Sequence, residues 1–229
     1  MIWRRTQKTC TVPYLGTVRH RARSMYSVET ARLSLRPLAE DDYEFLVALN
    51  ADPDVARFIA HGVPRTREET RAVLDRTLAS YRDDALGHLA ITLKDTGALI
   101  GRCGLSRVEI EAHAPANAPP QCFWFRGSAP HGMPVFHDVE LGYTLAKEHW
   151  GRGYATESAR AMRDFGFREL GLPRVLSAIV PLNVASTRVA GKLGLDICGR
   201  FQGFGKIYDC YKLTRSRWLE LTTAHALAR

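Results

Sequence analysis

Apolar and polar residues alternate through Ala31-Arg32-Leu33-Ser34-Leu35-Arg36 with a period of two, which predicts a half-buried strand ended by Pro37. The period then lengthens. Phe45, Leu46 and Leu49 recur at helical spacing between Glu40 and Asn50, with acids in the first turn. Asp52-Pro53-Asp54 opens a short helical piece to about Ile59, and Thr66-Arg67-Glu68-Glu69 reads as a capping box for a helix to about Arg82. Strands are expected at His88 to Leu93 and Leu99 to Val108, joined by the turn Asp95-Thr96-Gly97.

From Glu109 to His137 the periodicity disappears, although Phe123-Trp124-Phe125 inside this stretch is strongly apolar. A loop of that length in a compact domain is uncommon, and the aromatic trio reads first as burial against the body. Order returns with a strand at Asp138 to Leu145, the turn His149-Trp150-Gly151-Arg152-Gly153, and a helix from Tyr154 to Glu169 closed by Gly171 and Pro173. A buried strand at Arg174 to Val180, a helix at Asn183 to Leu193, two strands near 196–202 and 206–214, and a short terminal helix at 218–227 complete the chain. The order predicts an α/β (α+β) domain: one mixed sheet flanked by helices.

Composition changes this picture little. The chain has 229 residues, 45% hydrophobic and 24% charged, and no apolar run near the ~18 residues of a membrane span. A soluble domain with no membrane partner is expected. The net charge of +8 points toward nucleic acid until it is located. Arg4, Arg5, Lys8, Arg19, Arg21 and Arg23 carry six of those charges in an acid-free arm, leaving 26 basic against 24 acidic residues in the body. The expected boundaries are a basic extension over 1–28, a domain over 29–217 with an insertion at about 109–137, and a tail or short helix over 218–229. The arm reads as an unstructured extension, an import peptide or a tether to an anionic partner. Five cysteines in no C-x-x-C pair, and no H-E-x-x-H arrangement, support neither a disulfide framework nor a metal site. Reduced thiols in a cytoplasmic setting fit, with mitochondrial import as the alternative if the arm is a targeting peptide.

The candidate chemistry lies where a strand runs into glycines that open a helix. Small residues there let backbone N–H groups approach an anion at the helix N-terminus. A dinucleotide fingerprint would need a third Gly where Thr156 stands, and no P-loop pattern occurs. A coenzyme A pyrophosphate loop and a tight turn without a ligand remain.

Trp150-Gly151-Arg152-Gly153-Tyr154-Ala155-Thr156-Glu157 resembles motif A of the GNAT acetyltransferases, in the subgroup similar to the ribosomal-protein N-terminal acetyltransferases. Asn183-x-x-Ser186-x-Arg188-x-x-x-Lys192-Leu193-Gly194-Leu195 is similar to that subgroup's second signature, Thr30-x-Arg32-Leu33-x-Leu35-Arg36-Pro37 to its first strand, and Ile100-Gly101-x-Cys103-Gly104-Leu105 to its third. The resemblance spans about residues 29–214. It implies a GNAT-type acyl-CoA N-acyltransferase fold with a mostly antiparallel sheet of about seven strands. It also implies acetyl-CoA as cosubstrate, no metal, and a primary amine as acceptor, either a peptide N-terminus or a small amine.

By the same resemblance, backbone amides of Gly151, Arg152, Gly153, Tyr154, Ala155 and Thr156 cradle the pyrophosphate, with Arg152 adding charge. The strand around Leu141 and Tyr143 pairs with the pantetheine arm through a splay against the next strand, and Asn183 hydrogen-bonds the same region. Aminolysis of a thioester needs a neutral amine and therefore a proton acceptor. Glu140 is the candidate base, with pairing to a nearby Arg as the alternative. Many members carry a Tyr acid where Ala190 stands here, so Ser186 is the candidate acid, with Tyr208 or Tyr211 behind it. A plain helix hydrogen bond for Ser186 and helix capping for Asn183 are the structural alternatives. Glu157 is expected to support the first turn of its helix. A monomer or homodimer is expected; a non-catalytic acyl-CoA sensor and a ribosome- or nucleic-acid-associated protein are the other functional readings.

Overall fold

In a computed structural model of the chain, residues 27–83 and 86–227 are described; the basic arm lies outside them. The elements run β1 (Val28–Glu29), β2 (Leu33–Pro37), α1 (Tyr43–Ala51), α2 (Pro53–Ala56), α3 (Arg67–Asp83), β3 (Gly87–Leu93), β4 (Leu99–Glu111), β5 (Cys122–Phe123), β6 (Val135–Leu145), α4 (Tyr154–Arg168), β7 (Arg174–Ile179), α5 (Val184–Lys192), β8 (Asp196–Gly203), β9 (Lys206–Thr214) and α6 (Arg215–Leu227). They form one sheet in the order β1-β2-β3-β4-β6-β7-β9-β8, with β5 on β4. Every pairing is antiparallel except β6 with β7. Seven of the nine strands have five or more residues, matching the expected seven; the other two are two-residue pairings.

Strand alternation divides the core between the two faces of the sheet. Leu33, Leu35, Leu89, Ile91, Cys103, Leu105 and Leu141 point to one face, where they meet Ala159, Met162 and Phe167 of α4. On the other face Ala90 joins Leu38, Leu46, Leu49, Val55 and Leu74 from the α1–α3 layer. Val108, Ile110, Cys122, Leu176, Phe201 and Cys210 make a third cluster at the far end. Trp218 of α6 stacks on Phe167 with centroids 5.1 Å apart and donates its indole N–H to Asp164 at 2.8 Å. A fully buried aromatic thus keeps its polar handle satisfied.

Two predicted boundaries are corrected. The 109–137 segment is not a loop throughout: β4 continues to Glu111 and β6 begins at Val135, paired in register from Glu111↔Val135 to Gly101↔Leu145. The tertiary ladder satisfies the backbone there, so the strands persist where side-chain alternation has faded. The connection that remains, 112–134, is fixed by the Glu109 carboxylate, which accepts from the N–H groups of Gly127 (2.8 Å) and Ala129 (3.2 Å). The terminal helix starts at Arg215, earlier than its apolar pattern indicates. The capping box is present: Thr66 N–H donates to Glu69 at 2.8 Å and Glu69 N–H to Thr66 Oγ1 at 3.2 Å.

The third sequence signature has a steric origin. A Cβ on Gly104 would lie 2.1 Å from the Gly87 carbonyl oxygen, and one on Gly101 2.3 Å from that of Thr144. These glycines let β3, β4 and β6 pack their backbones at this spacing. Gly104→Ala is therefore expected to destabilise by about 1–3 kcal/mol through overpacking against backbone. A lower urea midpoint at unchanged slope would report it.

Candidate active site

The sheet opens in one place. β6 and β7 share a single paired position, Glu140↔Leu176, and diverge beyond it. The gap is spanned by side chains: Ser177 Oγ donates to the Leu141 carbonyl at 2.8 Å, and the Ala178 N–H donates to the Glu140 carboxylate at 3.3 Å. The Leu145 carbonyl points the same way and accepts from the Trp150 indole at 2.9 Å. Since alternate residues of a strand turn their N–H and C=O to the same edge, Tyr143 also directs its backbone into the splay. Leu141 and Tyr143 thus turn backbone groups toward the splay.

At the end of β6 the chain turns through Gly151 and Gly153, at φ +74° and +82°, into α4. These left-handed angles favour glycine. Among the described residues no side chain caps the helix, so the N–H groups of its first turn have no side-chain partner. Gly151, Gly153, Tyr154, Ala155 and Thr156 line the cavity that begins here; Arg152 does not, and its carbonyl accepts from Arg32 Nη1 at 3.1 Å. The Arg152 side chain is exposed beside the cavity.

Glu157 also differs from expectation. Its carboxylate accepts from Thr30 Oγ1 (2.7 Å), the Arg32 N–H (2.9 Å) and Arg32 Nε (2.7 Å), clamping the β1–β2 turn onto α4. Arg32 then lies over the Tyr154 ring, 4.6 Å from its centroid. Burial raises the Glu157 pKa, but the hydrogen bonds from Thr30 and Arg32 outweigh it and hold the group below the usual range. Its contribution to stability is present above the ordinary glutamate pKa and lost as pH falls through the lowered one.

The cavity has a volume of about 820 Å³ and reaches from the α4 N-terminus through the splay to the α1–α3 layer. Glu140, Leu141, Tyr143, Asn183, Ser186 and Ala190 all line it. The Glu140 side chain is half-buried by area because it faces the cavity, yet protein encloses it. Burial pushes its carboxyl up to about 7, against the lowering effect of the Trp124 side chain and the Ala178 N–H. The anticipated alternative, a salt bridge with an arginine, is not formed among the described residues. Asn183 caps α5, its Oδ1 accepting the Ser186 N–H at 3.2 Å, and still faces the cavity. Ser186 lies beside the Tyr143 hydroxyl, which is buried without a hydrogen bond of good geometry. Burial raises that phenol to about 12, so it remains a proton donor. Tyr208 uses its hydroxyl on the Ala60 carbonyl at 3.2 Å, and Tyr211 does not line the cavity.

The far end of the cavity is walled by the 54–60 segment, α3, Trp124-Phe125 and the β8–β9 turn. Trp124 stacks on Phe204 and tilts against Tyr208, both at 5.0 Å, while Arg76 lies 4.2 Å above Phe125. The aromatic trio is therefore both packing and cavity wall. Among the described residues, Ala60 and Phe204 are the non-glycine residues at positive φ, 43° and 50°, and both line the cavity. Sequence reasoning missed Trp124 as a partner of Glu140, the Tyr143 hydroxyl, and the inward-facing His88 and Arg102. An Arg set inside the otherwise buried run Ile100–Leu105 was the available signal for the last.

Residues 32–196 match the acetyltransferase (GNAT) domain family, so the chain belongs to the GNAT acetyltransferases. An FsC-acetyl coenzyme A-N(2)-transacetylase of Aspergillus fumigatus is 30% identical over 206 residues, covering 85% of this chain and 79% of that protein. The crystal structure of an acetyltransferase from Agrobacterium tumefaciens superposes with a TM-score of 0.62 at 31% identity, over 83% of this chain and 95% of that one. A ribosomal-protein-alanine acetyltransferase from Vibrio fischeri shares the fold, with a TM-score of 0.58 at 16% identity over 84% of this chain and 98% of that one. The protein is accordingly an acetyl-CoA-dependent N-acetyltransferase.

A side chain at Gly153 would meet only Arg32 Nη2, at 3.4 Å, so the constraint there is the backbone angle and not space. Gly153→Val is expected to distort the cradle and raise the KM for acetyl-CoA about ten-fold, from the ~1–2 kcal/mol that a left-handed angle costs such a residue. Steady-state kinetics with varied acetyl-CoA checks this.

Proposed function

We propose that this enzyme transfers the acetyl group to a primary amine, of a peptide N-terminus or a small molecule, by direct attack with Glu140 as the base and Ser186 as the acid. The observation that carries the reading is the position of Glu140 at the mouth of the splay, with a pKa of about 7. A base is most effective when its pKa lies near the working pH. Burial supplies that tuning here, and the N–H of Ala178 and the Trp124 side chain keep the carboxylate aimed.

The cradle fits the cosubstrate: uncapped amides at the α4 N-terminus suit its pyrophosphate, and the open edge of Leu141 and Tyr143 suits an extended amide-bearing arm. Acetyl-CoA supplies the activated acyl group as a thioester. On the chain's side, Gly151 and Gly153 to Thr156 present N–H donors, and Asn183 holds the start of α5 against the cavity. Glu140 takes the proton that the amine must lose. It projects from the β6 face that looks toward α1–α3, whereas Tyr143, an odd number of residues away, projects from the opposite face. Base and acid therefore flank the splay from opposite sides. Ser186 donates toward the departing sulfur, with the protonated Tyr143 hydroxyl beside it. A thiolate with an ordinary pKa near 8.5 needs only this modest help.

Thiol release from acetyl-CoA is the test, screened over peptides with free and blocked N-termini and over small amines. Turnover that stops when the amine is blocked is expected; acetyl-CoA binding with no turnover on any amine would favour a sensor. Activity should rise with pH through about 7 as Glu140 loses its proton. Glu140→Gln should remove that limb and lower kcat by about 10²–10⁴. The raised pKa has the opposite sign for folding. Protonated Glu140 stabilises below the ordinary glutamate range, and this contribution is lost as pH rises through about 7.

A further inference from the structure

The acceptor half of the cavity holds a charge that the fold leaves uncompensated. Arg102 is 7% exposed, yet it lines the cavity and forms no hydrogen bond or ion pair among the described residues; its Nε is buried and unpartnered. Arg65, another cation, acts on it and Tyr81 acts in the opposite sense; Arg65 also lines the cavity and, among the described residues, forms no ion pair, Glu69 acting on it only at longer range. Burial is the larger influence on both: it lowers Arg65 and brings Arg102 down to about 10. Buried charges are ordinarily paired, because an unpaired one forfeits its hydration with no return.

Among the described residues, the carboxylates near these arginines are held elsewhere, exposed or distant; Glu69, which acts on Arg65, accepts the Thr66 N–H at 2.8 Å. Asp54 is paired with Lys147 at 2.5 Å. Asp83 lies exposed at the end of α3. Arg102 stands opposite Thr144 in the β4–β6 ladder, and Glu140 is four residues back on the same face, roughly 13 Å along the strand. His88 occupies the ground between. Its ring sits over Gly142, where an added Cβ would be 3.2 Å from the imidazole, and its buried Nδ1 has no partner. Burial first, and then Arg102, keep that imidazole neutral, so one of its nitrogens can offer an N–H to an anion.

We propose that Arg102, with Arg65 and His88 beside it, receives an anionic group on the acceptor, a carboxylate or a phosphate, so that the enzyme acetylates amines that also carry a negative charge. This rests on the acetyl-transfer reading of the same cavity. It makes diamines and polycationic amines poor acceptors, since their second charge would meet buried guanidinium groups. The cosubstrate's own phosphates do not fill this role. Their cradle is at the N-terminus of α4, which packs on the sheet face opposite to the one bearing Arg102. The amine at Glu140 and the anion at Arg102 are two ends of one extended acceptor.

The test uses four amines of matched length: aminohexanoate, aminohexylphosphonate, the carboxamide of the first, and hexanediamine. Binding of each to the full-length protein saturated with CoA is measured by calorimetry, and turnover with acetyl-CoA in parallel. The expected result is that an anionic probe binds at least about ten-fold more tightly than the carboxamide, as a charge-assisted bidentate contact to Arg implies, with the diamine weakest. The order of carboxylate and phosphonate identifies which anion the site prefers. Arg102→Gln should erase the preference, and the melting temperature of its ligand-free form should equal or exceed that of the wild type, because a buried unpaired charge has been removed. Arg102→Lys should retain a weaker preference of the same sign.

Equal or tighter binding of the carboxamide or the diamine overturns the proposal, as does failure of both anionic probes to bind. A preference that survives Arg102→Gln overturns it too. So does a parallel loss of CoA affinity in that variant, which would assign the arginine to the cosubstrate, or a fall in its melting temperature, which would make the arginine a structural residue. The expected binding order without turnover on any amine would support the anion site and count against acetyl transfer.

Discussion

A parallel pair of strands in the middle of an otherwise antiparallel sheet cannot be joined by a hairpin, and the crossover that joins β6 to β7 is what makes a site possible. α4 fills that crossover, so its N-terminus lies at the end of β6. The two strands then part after one paired position. Open backbone groups inside a sheet are costly unless something satisfies them. Here Ser177, Trp150 and the Glu140 carboxylate take several of them, and the edge around Tyr143 is left for a ligand. The same separation encloses the Glu140 carboxyl away from bulk water, which raises its pKa. Opening the sheet and raising the Glu140 pKa are therefore one structural event.

Around this opening the chain accepts features that a purely structural protein would avoid. Ala60 and Phe204 hold positive φ angles and, among the described residues, the Tyr143 hydroxyl is buried without a good partner and Arg102 without a counter-charge. All four line one cavity. Their clustering fits the general pattern in which strain and unsatisfied polar groups persist where a ligand completes them. Elsewhere polar groups are well matched. Asp42, for example, takes both Arg36 nitrogens at 2.7 Å and the Ala39 N–H at 2.9 Å.

The glycine turn into α4 was legible in the sequence because it depends on local chemistry. Gly151 and Gly153 are needed for their backbone angles, and Leu141 and Tyr143 follow from a strand leading into them. Glu157 was misread because its partners, Thr30 and Arg32, lie more than a hundred residues earlier in the chain. No window of sequence contains that clamp. The 109–137 segment failed for a related reason: its outer residues are strand because β4 and β6 pair across the sheet, and not because their own pattern requires it.

What the sequence by itself determined is the order of elements, the glycines that the turn and the close-packed strands require, and the family to which those signatures belong. These rest on local conformation and on periodicity, which act over a few residues. The tertiary structure alone decided which side chains face the cavity, which of them remain unpaired there, and how far burial moves Glu140 and Arg102 from their ordinary pKa values. Burial and counter-charges come from segments distant along the chain, so no residue carries them until the sheet has closed around it.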